Sequence, residues 1–170
     1  MLFASLPFLL VFLPLVLAGA YATRRWVGVR SALAFLSLAS IVFYGWSNPA
    51  NLVVLVGSLA ANYLIGDALA RKPDRWLLAA GITLNLGLLA WFKYSGFIAF
   101  NLSALTGGDF DVGEVLLPLG ISFFTFQKIA YLVDIHTGKI GARSLLDYVF
   151  FIVFFPQLIA GPIVHHKQLI

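Results

Sequence analysis

The chain contains no cysteine, little charge and no long polar stretch. Without cysteine there is no disulfide, no thiolate nucleophile and no Cys-ligated metal. Charged residues make up only 11% of the sequence, where a soluble domain carries roughly 25%. No polar region is long enough for an appended soluble domain. Acidic residues are outnumbered, 7 to 11, giving a net charge of +4. The basic residues sit in short breaks between apolar runs, which is a topology signal and argues against nucleic acid as a partner.

What the chain does have is apolar length. Hydrophobic residues are 61% of it, in runs of about 16 to 20 residues, the pattern of a polytopic helical membrane protein. The sixteen Phe and four Trp suit lipid-facing and interfacial positions. The expectation is an all-α transmembrane bundle, one domain over residues 1–170, with about six membrane-embedded helices, the last kinked or re-entrant.

The first run, Leu2 to Ala22, resembles a signal peptide at Ala18-Gly19-Ala20. No basic side chain precedes it, however, and Arg24, Arg25 and Arg30 follow, so it reads as a retained helix. Ser31 to Trp46 ends at the turn signal Asn48-Pro49, with Tyr44 and Trp46 expected at headgroup level. Leu52 to Ile65 carries Gly57 and Ala61 on one face, a spacing that lets another helix approach closely. Asn62 is expected to bond a neighbouring helix and Asp67 to lie in a wet loop. Trp76 to Phe92 follows, with Asn85 as packing glue; Lys93-Tyr94 then interrupts, and Ser95 to Leu105 reads as a shorter helix lying along the interface or tucking back. Thr106 to Glu114 is an aqueous loop whose acidic residues lack calcium-loop spacing. Basic residues occupy segments 23–30, 71–75 and 135–143 but not 47–51 or 106–114, which places the N-terminus outside.

Two stretches are unusual. In LLPLGISFFTFQKIAYLVD, Leu116 to Asp134, an apolar run carries ionisable and amide groups that hydrocarbon tolerates poorly. Pro118 reads as an early helical residue, and Lys128 as snorkelling to the cytoplasmic interface. Gln127, Tyr131 and Asp134 share a helix face, as interhelix glue or as part of a substrate path. Next, Ser144 to Asp147 resembles a capping box. The helix it opens reaches Phe155, where Pro156 stops it after roughly 16 Å, too short to span. Gln157 and Gly161-Pro162 follow, and broken backbone at membrane depth needs protein or a cavity around it. His165 and His166, beside Lys167, read as an interfacial tail and His136 as a loop residue. Adjacent histidines point to different faces and make no metal pair, so no metal site is expected.

At these residues the chain resembles the membrane-bound O-acyltransferase family, in the bacterial branch typified by the alginate O-acetylation protein. The matching stretches are LASIVFYGW (38–46), NYLIG (62–66), WFKYSGF (91–97), LLPLGISFFTFQKIAYLVDIHTG (116–138) and FFPQLIAGPIVHHKQL (154–169). Gln157, where Phe-Pro-His is commoner, and His136, where an aromatic often sits, depart from that pattern. The resemblance implies acyl transfer from a cytoplasmic donor, through a tunnel, to a hydroxyl acceptor outside. It implies that this chain is the N-terminal portion of such an enzyme. The family's catalytic histidine lies on a later helix in a Trp-His-Gly-like context without counterpart here, so no catalytic residue is expected in this chain. Gln127, Tyr131, Asp134, Gln157, Gly161 and Pro162 are the residues expected to line the tunnel.

The same resemblance implies no bound cofactor, an acyl donor (acetyl-CoA or an acyl carrier) as co-substrate, and an exported polysaccharide such as alginate as acceptor. Accessory acetylation or carrier proteins, the lipid bilayer and the bacterial inner membrane complete its setting. Two rival readings remain at this stage. One is D-alanyl or other acyl transfer on the same fold; the other is a non-catalytic transporter bundle with binding at broken helices.

Overall fold

A computed structural model describes residues 5–47, 49–108, 113, 117–118, 120–141 and 144–156. Each apolar run becomes a helix: α1 Leu13–Trp26, α2 Val29–Ser47, α3 Pro49–Arg71, α4 Arg75–Thr106, α5 Ile121–His136 and α6 Leu145–Val153. No strand occurs among the described residues. A π-helical turn, Phe8–Phe12, leads into α1. Its wide bond, Leu13 N–H to the Phe8 carbonyl, comes just ahead of Pro14, which has no N–H to offer an α-helical one. Phe8–Trp26, Val29–Trp46, Pro49–Arg71 and Arg75–Thr106 are long and apolar enough to cross a membrane, so this is a multi-pass, all-α membrane bundle.

Helix α4 corrects the expected break. It runs 32 residues without interruption, about 48 Å of helix against a ~30 Å hydrocarbon core. Its ends are set by caps. The Asp74 carboxylate accepts the Trp76 and Leu77 N–H groups at 2.7 and 3.4 Å, and Gly107 turns left-handed at φ 68°. Lys93 and Tyr94 remove no backbone bond; both side chains stand exposed, the ammonium 5.6 Å from the Tyr94 ring centre.

Helix α5 also begins differently from the expectation. Gly120, at φ 70°, caps it, and Pro118 lies in the preceding turn, its carbonyl accepting the Ile121 N–H at 3.2 Å. Asp67 is no loop residue: it sits on the last turn of α3 and pairs with Arg71 at 2.8 Å. Tyr44 is not at an interface; it is 3% exposed, its ring edge-on to Phe124, whereas Trp46 is exposed as expected.

Packing centres on α5. Gly66 of α3 lies under Tyr131 and Ile135, and Gly81 of α4 under Leu132 and Ile65. The C-terminal halves of α3 and α5 therefore lie side by side with the start of α4. A Cβ added at Gly57, by contrast, would meet nothing within 4 Å, so the Gly57/Ala61 pair is not where helices meet. Asn62 and Asn85 do link α3 to α4: their amides bond reciprocally at 2.6 and 3.1 Å, and each also donates to a carbonyl of its own helix at 2.8 Å. With these partners neither amide leaves a costly unpaired group.

The capping box opening α6 forms as read. Ser144 accepts the Asp147 N–H at 3.3 Å and its hydroxyl donates to the Asp147 carboxylate at 2.7 Å. The helix lasts only 9 residues, breaking at Phe154 with ψ 107°, so about 14 Å of it runs inside the bundle. The Phe155 N–H freed by the break is taken by the Ser40 hydroxyl of α2 at 3.2 Å. Phe155 then seats among Phe8, Phe12 and Phe43, with ring centres 5.6–5.9 Å apart. This buried break is the arrangement that membrane depth demands.

These contacts fix helix direction. Tyr44, late in α2, meets Phe124, early in α5, while the late residues of α3 and α5 share the opposite end. Arg24, Arg25, Arg30, Arg71, Lys72, Arg75 and Lys139 consequently gather at one end of the bundle.

Candidate functional site

The side chains that cannot be explained as packing lie along α5 and the helices facing it. Gln127 is 2% exposed, and among the described residues neither its Nε2 nor its Oε1 has a hydrogen-bond partner. One turn on, Tyr131 is also 2% exposed. It is clamped between Gly66 and the Tyr148 ring of α6, 4.6 Å away between centres. Asp134 stands a further turn down, part-buried, with its carboxylate 3.5 Å from Lys139. The carbonyl of Asp134 accepts the Lys139 and Ile140 N–H groups that close the helix. Thus the three residues do share one face of α5, but only Gln127 and Tyr131 are sealed in the core. Asp134 belongs to the helix end. Gln157, Gly161 and Pro162 lie outside the described residues, as do His165 and His166.

Several polar groups that sequence reasoning passed over sit near them. The hydroxyls of Tyr44, Thr125 and Tyr148 are buried without a hydrogen-bond partner among the described residues. Buried polar atoms are satisfied in the great majority of cases. The accumulation of these unpartnered groups around one helix sets this part of the bundle apart from the rest of the described residues. Thr125 and Tyr148 gave no sequence signal, since both types are ordinary in apolar helices. Tyr44 was misplaced because an aromatic near a helix end ordinarily sits at the interface.

Lys128 is the largest departure. It does not snorkel: it is fully buried, its Nζ donating to the Ser58 hydroxyl of α3 at 2.8 Å and lying 4.5 Å from the Phe124 ring centre. Snorkelling needs a lipid- or water-facing side of the helix, and this residue points at α3 instead. The signal was present in the sequence, as a lysine well inside an apolar run.

Of the histidines only His136 is described; it is the last residue of α5, not a loop residue, and its Nδ1 is buried without a partner among the described residues. Among the described residues no group of His, Asp or Glu could hold a metal.

The sequence has relatives among known proteins. The chain is 37% identical over 181 residues to a probable alginate O-acetylase of Pseudomonas putida, covering 100% of this chain and 36% of that protein. It is 33% identical over 201 residues to a peptidoglycan O-acetyltransferase of Helicobacter pylori, 99% of this chain and 38% of the relative. A teichoic acid D-alanyltransferase of Lacticaseibacillus rhamnosus is 31% identical over 58 residues, 34% of this chain and 14% of the relative. No family model and no solved structure matches the chain. It spans about a third of the length of the alginate and peptidoglycan relatives. Over its whole length the chain is therefore similar to bacterial polysaccharide O-acetylases, consistent with its resemblance to the alginate O-acetylation branch of the membrane-bound O-acyltransferases.

Proposed function

We propose that this chain forms part of a membrane O-acyltransferase that moves an acyl group, most readily acetyl, from a cytoplasmic donor to a hydroxyl of an exported polysaccharide. The observation that carries the reading is similarity over the whole chain to proteins named for O-acetylation of alginate and of peptidoglycan. The geometry supports it. A face of α5 bearing Gln127 and Tyr131 lies beside a helix that breaks inside the bundle, and irregular backbone at that depth suits the wall of a water-filled passage. In this reading Gln127, Tyr131 and Asp134, with Gln157, Gly161 and Pro162, line the acyl path. The base that takes the acceptor's proton is supplied from outside these 170 residues. No cofactor is held; the donor, acetyl-CoA or an acyl carrier, arrives as co-substrate, with accessory acetylation or carrier proteins as partners.

Membranes containing the protein are expected to place label from a radiolabelled acetyl donor on exported polysaccharide as an alkali-labile ester, and membranes lacking it are not. Label from D-alanine in place of acetate would shift the assignment to the D-alanyl transferases, to which part of the chain is also similar. No transfer of either group would sink the acyltransferase reading.

We further propose that the protein lies in the bacterial inner membrane with its basic end in the cytoplasm and its N-terminus outside. Since the chain has no cysteine, single substitutions report sidedness without background. In intact cells Ser47→Cys and Gly108→Cys should react with a membrane-impermeant maleimide, and Thr23→Cys and Lys139→Cys should not. The reverse pattern overturns the orientation.

A further inference from the structure

Among the described residues, one basic side chain in the bundle interior has no counter-charge. Lys128 is 0% exposed and sits midway along α5, about 10–12 Å from either helix end at 1.5 Å per residue. Every carboxylate among the described residues is engaged at a helix end: Asp67 with Arg71, Asp74 capping α4, Asp134 with Lys139, and Asp147 with Ser144. Lys128 therefore holds three N–H donors against one hydroxyl and the face of one ring. Burial with so few partners disfavours the ammonium unless an anionic group joins it, and intramembrane ionisable groups of this kind mark functional sites.

The hydroxyl it bonds faces a space. Ser58 lines a groove of about 450 Å³ between α3 and α4, with Gly57 and Ala61 beside it, Asn62 and Asn85 at one side, and Trp91 across it. The size and mostly apolar lining are those of a small-molecule site. The two Asn amides are spent on each other. The Ser58 hydroxyl already donates to the Leu55 carbonyl at 2.9 Å. Lys128, one atom behind Ser58, is the source of positive potential at this wall, in surroundings where a charge acts far more strongly than in water.

We propose that Lys128 makes this wall an oxyanion site: donating to Ser58 from behind, it lets that hydroxyl turn from the Leu55 carbonyl and donate instead to the carbonyl or carboxylate oxygen of the acyl unit in the groove between α3 and α4. The chemical class is a short acyl group with a negatively polarised oxygen. Lipid headgroups are too far from the middle of the helix, and the sugar hydroxyls offer no such charge. Naming the acyl unit rests on the acyltransferase reading; the oxyanion preference does not.

The test uses the cysteine-free background. Ser58→Cys puts one thiol on the groove wall of the membrane-inserted protein while Lys128 stays in place. Its reaction with the negatively charged sulfonatoethyl methanethiosulfonate is expected to outpace that with the positively charged trimethylammonium analogue by about tenfold, after correction for their rates with a free thiol. Acetate at tens of millimolar should slow the labelling. Adding Lys128→Met should bring the two rates together and abolish the acetate effect. A thiol that reacts with neither reagent, or that shows the same preference with Lys128→Met, overturns the proposal. So does labelling indifferent to acetate. In the acyl-transfer assay Lys128→Met, with Ser58 native, should raise KM for the donor, with Lys128→Arg retaining part of the affinity. An unchanged KM in a folded Lys128→Met protein counts against the proposal. If labelling shows the anion preference but no acyl transfer is found in any membrane, the site stands and the acyltransferase reading falls.

Discussion

Gly66→Leu is expected to prevent the bundle from assembling, while Gly57→Leu on the same helix leaves it intact. At Gly66 even a single added Cβ would stand 2.7 Å from Tyr131 Cε1, 3.1 Å from its hydroxyl and 3.2 Å from Ile135 Cδ1. The Tyr131 ring cannot swing away, because Tyr148 is packed on it and Tyr63 on Tyr148. A leucine brings three carbons more than that Cβ. Overpacking ordinarily costs about 1–3 kcal/mol where neighbours can shift; here three helices must part, so the upper end or more applies. At Gly57 the same side chain enters the open groove and touches nothing within 4 Å of its Cβ. The measurement is the monodisperse fraction after detergent extraction, together with the thermal midpoint of what survives. Gly66→Leu protein with native yield and midpoint would show that α3 and α5 do not pack as described.

That contrast also shows what the sequence could and could not reveal. Membrane class and the shortness of α6 were readable, because run length is a local fact, although the helix breaks at Phe154 and not at Pro156. Asn62 and Asn85 were read correctly as interhelix bonds, since an amide in an apolar run has few other fates. The partner-facing side of α3 was not readable. Gly57/Ala61 and Gly66 are equally suited to close approach, and only the position of Tyr131 on another helix decides between them. The same applies to Lys128: its sequence allowed snorkelling or burial, and the choice depends on whether α3 or lipid lies opposite. Lys93-Tyr94 misled for a different reason. Polar residues interrupt hydropathy, but helix continuity depends on backbone bonds and caps, and those of α4 lie at Asp74 and Gly107. On the site, the shared face of Gln127, Tyr131 and Asp134 follows from helical spacing alone. Their differing burial does not, because it depends on where α6 crosses.

Gln127→Leu should move stability and activity in opposite directions. Both polar atoms of this amide are buried and unpartnered, and a buried polar group left unsatisfied costs about 1–3 kcal/mol. Leucine is close in size and carries no such cost, so the substituted protein is expected to melt higher, by a margin equivalent to about 1 kcal/mol or more. If Gln127 instead completes its hydrogen bonds with the acyl group or the water that accompanies it, those bonds are lost as well. Acyl transfer per folded molecule then falls on the order of tenfold, the effect of one missing bond in a desolvated site. Measuring both quantities on the same preparation separates the roles. A higher melting point with undiminished transfer would remove Gln127 from the acyl path and leave it as a mere cost of the scaffold. A lower melting point would mean that the amide is satisfied within the bundle and acts as interhelix glue. Only the opposed pair of changes fits a glutamine that the fold leaves open for its substrate.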